Sequence, residues 1–277
     1  MSKRTKKNLC ILLIIAAVIA VIAVPQHISE TVNSEMSISA LCDNKPLYAA
    51  HRGLSALYPQ NTIPAFEGAA KAGFYAFECD VHTTSDGEWV VIHNDTVDAM
   101  TDAEDEVESF TLSQLREMNI DAGNGIENYK NLKIPTLEET LSVCDEYDIV
   151  PIIEIKKCDV KYYPSFIELL EKHNLIDKVV IISFDFDYLV ELQKYNSDIE
   201  LMYLLRKVDK ASVDKCIENG KIGIDFKYQN YILSASALRY AKENGLSLGA
   251  WTVDNTIASD FMNFIGVEFV TTNRILP

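Results

Sequence analysis

The chain has 277 residues, 48% hydrophobic and 24% charged, which is enough apolar material for one sizeable core. Its formal net charge is −16, and since Lys3, Arg4, Lys6 and Lys7 open the chain with no acid among them, the remainder carries about −20. Such a surface repels polyanions, so no nucleic-acid partner is expected, and a phosphate-bearing ligand would need a local cation.

Residues 1–24 form a basic start followed by an apolar run from Leu9 to Val24. That run lies between a signal-peptide core of roughly 7–15 residues and a full span of about 20. The basic flank places the N-terminus in the cytoplasm and exports the rest. The expectation is a membrane-anchored, extracytoplasmic domain, or a secreted one if cleavage follows Val21-Ile22-Ala23. Residues 25–45 are polar without a clear period and read as a tether.

Residues 46–277 alternate strand and helix signals. The expected strands are Leu47–Ala50, Phe74–Thr83, Trp89–His93, Val150–Lys156, Val179–Phe184, Glu200–Leu205, Ile222–Phe226, Leu246–Thr252 and Val267–Thr271. Helices are expected at Asn61–Ala72 with an Asn cap, Thr111–Met118, Pro135–Tyr147, Pro164–His173, Asp187–Tyr195, Asp209–Glu218, Ser234–Asn244 and Ile257–Ile265. At this length the alternation predicts an α/β fold, a TIM-type (β/α)8 barrel. The polar stretch Asn94–Lys133 reads as a small inserted subdomain capping the barrel mouth.

One strand is left over. The link from Asp80 to Trp89 is too short for a helical crossover, and Asp86-Gly87 is a hairpin signal. A two-residue turn there would pair Ser85 with Glu88, and hence Asp80 with His93.

The residues suited to chemistry fall at strand ends. His51 and Arg52 follow L-Y-A-A, His93 follows W-V-V-I, and Glu154 and Lys156 end I-V-P-I-I-E-I-K. Glu78 and Asp80 are two apart and share a strand face, as does His82. Paired imidazoles with clustered carboxylates are suited to metal-assisted acid–base chemistry. Each residue alone has a structural reading, but carboxylates among buried apolar runs need partners. Trp251 alone would be core. The cysteines include no C-x-x-C pair, so neither a zinc site nor a redox motif is expected.

The ordered set H-R-G, P-x-N-T-x-x-A-F, G-x-x-x-x-E-x-D-V-x-x-T-x-D-G-x-x-V-V-x-H, E-I-K and A-W-T-V resembles the glycerophosphodiester phosphodiesterases. The related phosphoinositide-specific phospholipases C share the barrel. The resemblance implies hydrolysis of glycerophosphodiesters to sn-glycerol 3-phosphate and an alcohol. It implies Glu78, Asp80 and Glu154 as ligands of a divalent cation, Ca2+ or Mg2+, and His51 and His93 as acid–base pair. Arg52 and Lys156 would contact phosphate, and Trp251 the glycerol or head group. The chain departs from the pattern at Gln60 (usually Glu), Asn94 and Asn273 (usually Asp) and Ala99 (often Arg). Another phosphodiesterase, acting on a phosphoinositide, lysophospholipid or polymer, and a non-catalytic polyol-phosphate binder are the alternative readings.

Overall fold

The computed structural model describes residues 47–275. The expected anchor and tether lie outside the described residues. Among those described, no helix is long and apolar enough to cross a membrane.

The chain runs through β1 (Leu47–Ala50), α1 (Ile63–Lys71), β2 (Ala76–Thr83), β3 (Trp89–Val91), α2 (Leu112–Glu117), α3 (Leu137–Tyr147), β4 (Val150–Lys157) and α4 (Tyr163–Lys172). It continues through β5 (Val180–Ser183), α5 (Phe186–Gln193), β6 (Glu200–Leu205), α6 (Lys210–Glu218), β7 (Gly223–Lys227), α7 (Tyr231–Glu243), β8 (Leu248–Trp251), α8 (Thr256–Ile265) and β9 (Phe269–Thr272). The parallel order is β1-β9-β8-β7-β6-β5-β4-β2, and pairing of β1 with β2 closes the ring. This is the expected TIM-type barrel. Alternation decides what each strand residue meets. Ala49, Ala76, Ile152, Ile182, Met202 and Phe269 fill one apolar cluster in the barrel interior. Phe77, Cys79, Val81, Ile153, Ile155 and Ile181 pack in the larger cluster against the helices. Burying each such large side chain contributes about 1.5–3 kcal/mol.

Helix starts follow capping chemistry. Thr111 and Thr136 form capping boxes with Gln114 and Glu139, and Asp209 caps α6. The expected Asn61 cap of α1 is not formed. Helix α1 begins at Ile63 with Thr62 at the cap position and a proline in the first turn. Asn61 instead turns its side chain to Asp80.

The hairpin forms, but with a different turn. The loop is Ser85-Asp86-Gly87, with Gly87 at φ +87° and Thr84 N–H donating to Glu88 O at 2.9 Å. Asp86 Oδ1 accepts from the Thr84 hydroxyl and from Leu112 N–H, which ties the turn to α2. Thr83 therefore pairs with Trp89, and Ile92 N–H donates to Asp80 O. Asp80 faces Ile92 rather than His93, a shift of one residue. In an unbroken strand that shift would send the His93 side chain to the opposite face. Strand β3 ends at Val91 and the chain bends at His93, whose ring lines the site cavity.

The segment 94–133 has an apolar cluster of its own. Val97, Met100, Val107, Leu115 and Ile120 pack with Val90, Ile92 and Ile134. Asn124 donates to Ser55 O, and Gln60 donates to the Met100 sulfur, so this unit buttresses the loop after β1.

Candidate active site

The C-terminal ends of the barrel strands converge on a cavity of about 390 Å³ lined by His51, Arg52, Glu78, His93, Glu154, Lys156 and Trp251. All the expected catalytic, phosphate-binding and metal-binding residues except Asp80 line it directly, and His82 does not. Asp80 lies beneath, 3.5 Å from Arg52.

Glu78 and Asp80 are inward-facing residues of β2, and Glu154 stands beside Asp80 on β4. Their carboxylate oxygens lie within 4.8 Å of one another, and all three residues are buried. Burial, then the charges of Asp80 and Glu154, raise Glu78 well above the usual carboxylate range. Burial, then Asp80, lifts Glu154 to about 8. Burial raises Asp80 as well, but Arg52, His93 and Lys156 together outweigh it and hold the carboxyl low. Three crowded carboxyls in a buried place need protons or a cation between them. An all-oxygen donor set without thiolate fits a hard divalent cation.

The H-R-G turn sets the cationic side. Arg52 and Gly53 both adopt positive φ, +57° and +73°. A Cβ on Gly53 would stand 2.6 Å from the Ala65 backbone, so only glycine fits. The turn points Arg52 N–H at Glu78 Oε2 (2.9 Å) and its guanidinium Nη1 at Gln60 Oε1 (2.7 Å). Gln60, where the resemblance places Glu, thus still holds the arginine. Lys156 sits at a bulge, since Val81 pairs with Ile155 but His82 with Lys157. Its Nζ lies 2.9 Å from Glu154 and 3.8 Å from Asp80.

The two histidines have neutral amide partners. His51 Nδ1 lies 2.7 Å from Asn273 Oδ1. Asn273 donates both its backbone N–H and its Nδ2 to Asp254, so Oδ1 is what remains for the ring. His51 therefore carries its proton on Nδ1 and exposes the Nε2 lone pair, 4.0 Å from Glu78. Burial, then Arg52, brings His51 down to about 4 despite the Asn273 bond. His93 Nδ1 meets Asn94 Oδ1 at 2.7 Å, and burial lowers its pKa against the pull of Asp80. The two asparagines that depart from the family pattern are the two histidine partners.

Trp251 stacks edge-on against Phe184 at 5.6 Å and donates from Nε1 to Asp225 O. His82 is buried away from the cavity, with its ring hydrogen-bonded to the His93 backbone. Ala99 is exposed. Sequence reasoning passed over Asn61, which donates to Asp80 Oδ2 at 2.8 Å and accepts from Asp80 N–H. It also passed over Asp254 and Asp225. Asn61 carried a signal in its place in P-Q-N-T; Asp225 carried one as a lone acid in the apolar run I-G-I-D-F.

The sequence profile of the glycerophosphoryl diester phosphodiesterase family matches residues 51–276. The glycerophosphodiester phosphodiesterase of Caldanaerobacter subterraneus subsp. tengcongensis is 32% identical over 235 residues, 83% of this chain and 94% of that protein. Among solved structures, a phosphodiesterase of Oleispira antarctica in complex with its product sn-glycerol-3-phosphate superimposes with a TM-score of 0.74 at 23% identity, over 86% of this chain and 96% of that one. A glycerophosphodiester phosphodiesterase of Parabacteroides distasonis does so at 0.70 and 26% identity, over 83% and 94%. The sequence profile and the Caldanaerobacter relative extend over most of the described barrel, and on them the chain belongs to the glycerophosphoryl diester phosphodiesterase family.

Proposed function

We propose that this protein hydrolyses glycerophosphodiesters to sn-glycerol 3-phosphate and an alcohol, with Ca2+ or Mg2+ held by Glu78, Asp80 and Glu154. The observation that carries the reading is one cavity lined by Glu78, Glu154, His51, His93, Arg52 and Lys156, with Asp80 completing the carboxyl cluster directly beneath it. A bound divalent cation supplies charge neutralisation at the phosphodiester oxygens. Arg52 is placed to donate to the same oxygens, with its fork braced by Gln60. Lys156 adds a point charge from the β4 side. His51, neutral and with Nε2 free, takes the proton of the nucleophile. His93, beside Asp80, gives a proton to the departing alcohol. Trp251 and Phe184 form an aromatic wall for the organic part of the substrate.

We further propose that Leu9–Val24 tethers the domain outside the cytoplasm, within reach of lipid-derived head groups. The test of the reading is turnover of glycerophosphocholine and glycerophosphoethanolamine by the purified full chain, against a phosphoinositide and a lysophospholipid. Cleavage of the first two, with release of sn-glycerol 3-phosphate, is expected; cleavage of a phosphoinositide alone would replace this substrate assignment.

The Asn273 bridge gives a second expected result. Asn273→Ala frees the His51 ring and should lower kcat by roughly 10- to 100-fold with KM little changed, since positioning partners of this kind carry effects of that size. Asn273→Asp keeps an acceptor at Nδ1 but sets a carboxylate against Asp254 where Asn273 donates, so it should recover only part of the loss. Steady-state kinetics on the three proteins decide it. A loss confined to KM would contradict the positioning role.

A further inference from the structure

Asp225 on β7 is fully buried, yet its carboxyl lines the site cavity. Among the described residues neither Oδ1 nor Oδ2 has a hydrogen-bond partner. The Thr271 hydroxyl on β9 is in the same position: buried, lining the cavity, without a partner among the described residues. Around them the cavity floor is apolar, with Ile182 and Leu204. The strand between β7 and β9 presents Gly249 beside Asp225. A Cβ at 249 would lie 2.9 Å from Asp225 Oδ1 and 2.6 Å from the Phe269 ring, so the glycine leaves room for the carboxyl.

A buried carboxyl and a buried hydroxyl left unpaired each cost stability unless something meets them. The three clustered carboxyls pair with Arg52 and Lys156; Asp225 and Thr271 have no such partner among the described residues. What they can take is a small group that both donates and accepts. A hydroxyl does both, whereas an ammonium only donates. Trp251, one inward step toward the mouth on β8, is partly exposed, so the floor is the closed end of the cavity.

We propose that Asp225 and Thr271 form a hydroxyl-binding floor that holds a free hydroxyl of the substrate's glycerol unit and directs the alcohol leaving group toward the mouth. This rests on the glycerophosphodiesterase reading and adds a specificity determinant to it. Sites built to bond a hydroxyl discriminate strongly against substrates that lack it, because their own polar groups are then left unpaired.

The experiment compares wild type, Asp225→Ala, Asp225→Asn and Thr271→Val on glycerophosphocholine, on its two monodeoxyglycerol analogues, and on bis(p-nitrophenyl) phosphate, which has no hydroxyl. Wild type should lose roughly 10- to 100-fold in kcat/KM when the contacted hydroxyl is removed, the range expected for an unpaired buried group. Asp225→Ala should show a similar loss on glycerophosphocholine, little further loss on that deoxy analogue, and less than about threefold change on bis(p-nitrophenyl) phosphate. Thr271→Val should follow the same pattern more weakly. Asp225→Asn keeps the shape and one acceptor, and keeps the test open if the alanine variant does not fold; it should discriminate between the glycerol and deoxyglycerol substrates less than wild type does. Equal losses on all substrates, or none on any, would overturn the proposal. So would a loss that tracks choline against an uncharged alcohol, which would mark an ammonium site. An active wild type with indifferent variants overturns this inference alone, whereas a wild type inactive on every glycerophosphodiester overturns both readings.

Discussion

Replacing His51 or His93 with alanine should lower glycerophosphocholine turnover by roughly 10²- to 10⁴-fold, the range general acid–base groups contribute. Both rings line the cavity and are only partly buried. Each follows a strand and is fixed through Nδ1 by an asparagine. Thermal unfolding should therefore change far less than turnover. The two losses should separate when the leaving group changes. A p-nitrophenyl ester departs without a proton, so the His93→Ala loss should shrink markedly on it. The His51→Ala loss should stay, because activating the nucleophile is still required. Parallel kinetics of both variants on glycerophosphocholine and a glycerol p-nitrophenyl phosphodiester read this directly. If the His51 variant is the one rescued, the base and acid assignments exchange.

The second large effect concerns the carboxylate cluster. Calcium or magnesium at 100 times its dissociation constant should stabilise the native protein by about 2.7 kcal/mol. For a domain of this size that is roughly 5–10 °C in melting temperature. Asp80→Asn and Glu78→Gln should abolish both the shift and turnover. In the cation-free protein Glu78→Gln should raise the melting temperature, since it removes one member of a repelling set. The pH dependence has a definite sign. Glu154 in the fold titrates near 8, above its ordinary 4.5, so the cation-free fold binds protons more tightly than the unfolded chain. Its contribution to stability is fully present below about 4.5 and is lost as pH rises toward 8. A cation competes with those protons, so its affinity should rise over the same window. Melting curves at several pH values, with chelator and with added cation, measure both trends. Identical curves with and without cation would contradict the cluster's role.

The barrel was readable in the sequence because short apolar runs alternate with helical segments, and the expected starts at Thr111, Pro135 and Asp209 fall at the capped ends of α2, α3 and α6. The main site was readable because its members lie at strand ends with the alternation that aims them inward. The misses have local causes. The hairpin register slipped by one because the Thr84 and Asp86 side chains bond each other, Asp86 is also bonded by α2, and together they build a three-residue loop. Asn61 looked like a helix cap because its competing partner, Asp80, is distant in sequence. The His51–Asn273–Asp254 bridge joins the first and last barrel strands, and no local pattern announces such a pairing. Asp225 was lost in an apolar strand because its significance lies in what it fails to touch.

In the proposed mechanism Glu78, Asp80 and Glu154 hold a divalent cation on which glycerophosphodiester hydrolysis depends. The most direct measurement is release of sn-glycerol 3-phosphate from glycerophosphocholine by the chelated full chain, followed by add-back of Ca2+ or Mg2+. Turnover should vanish after chelation and recover with one of these ions in wild type but not in Asp80→Asn. Full turnover by the chelated protein would contradict it.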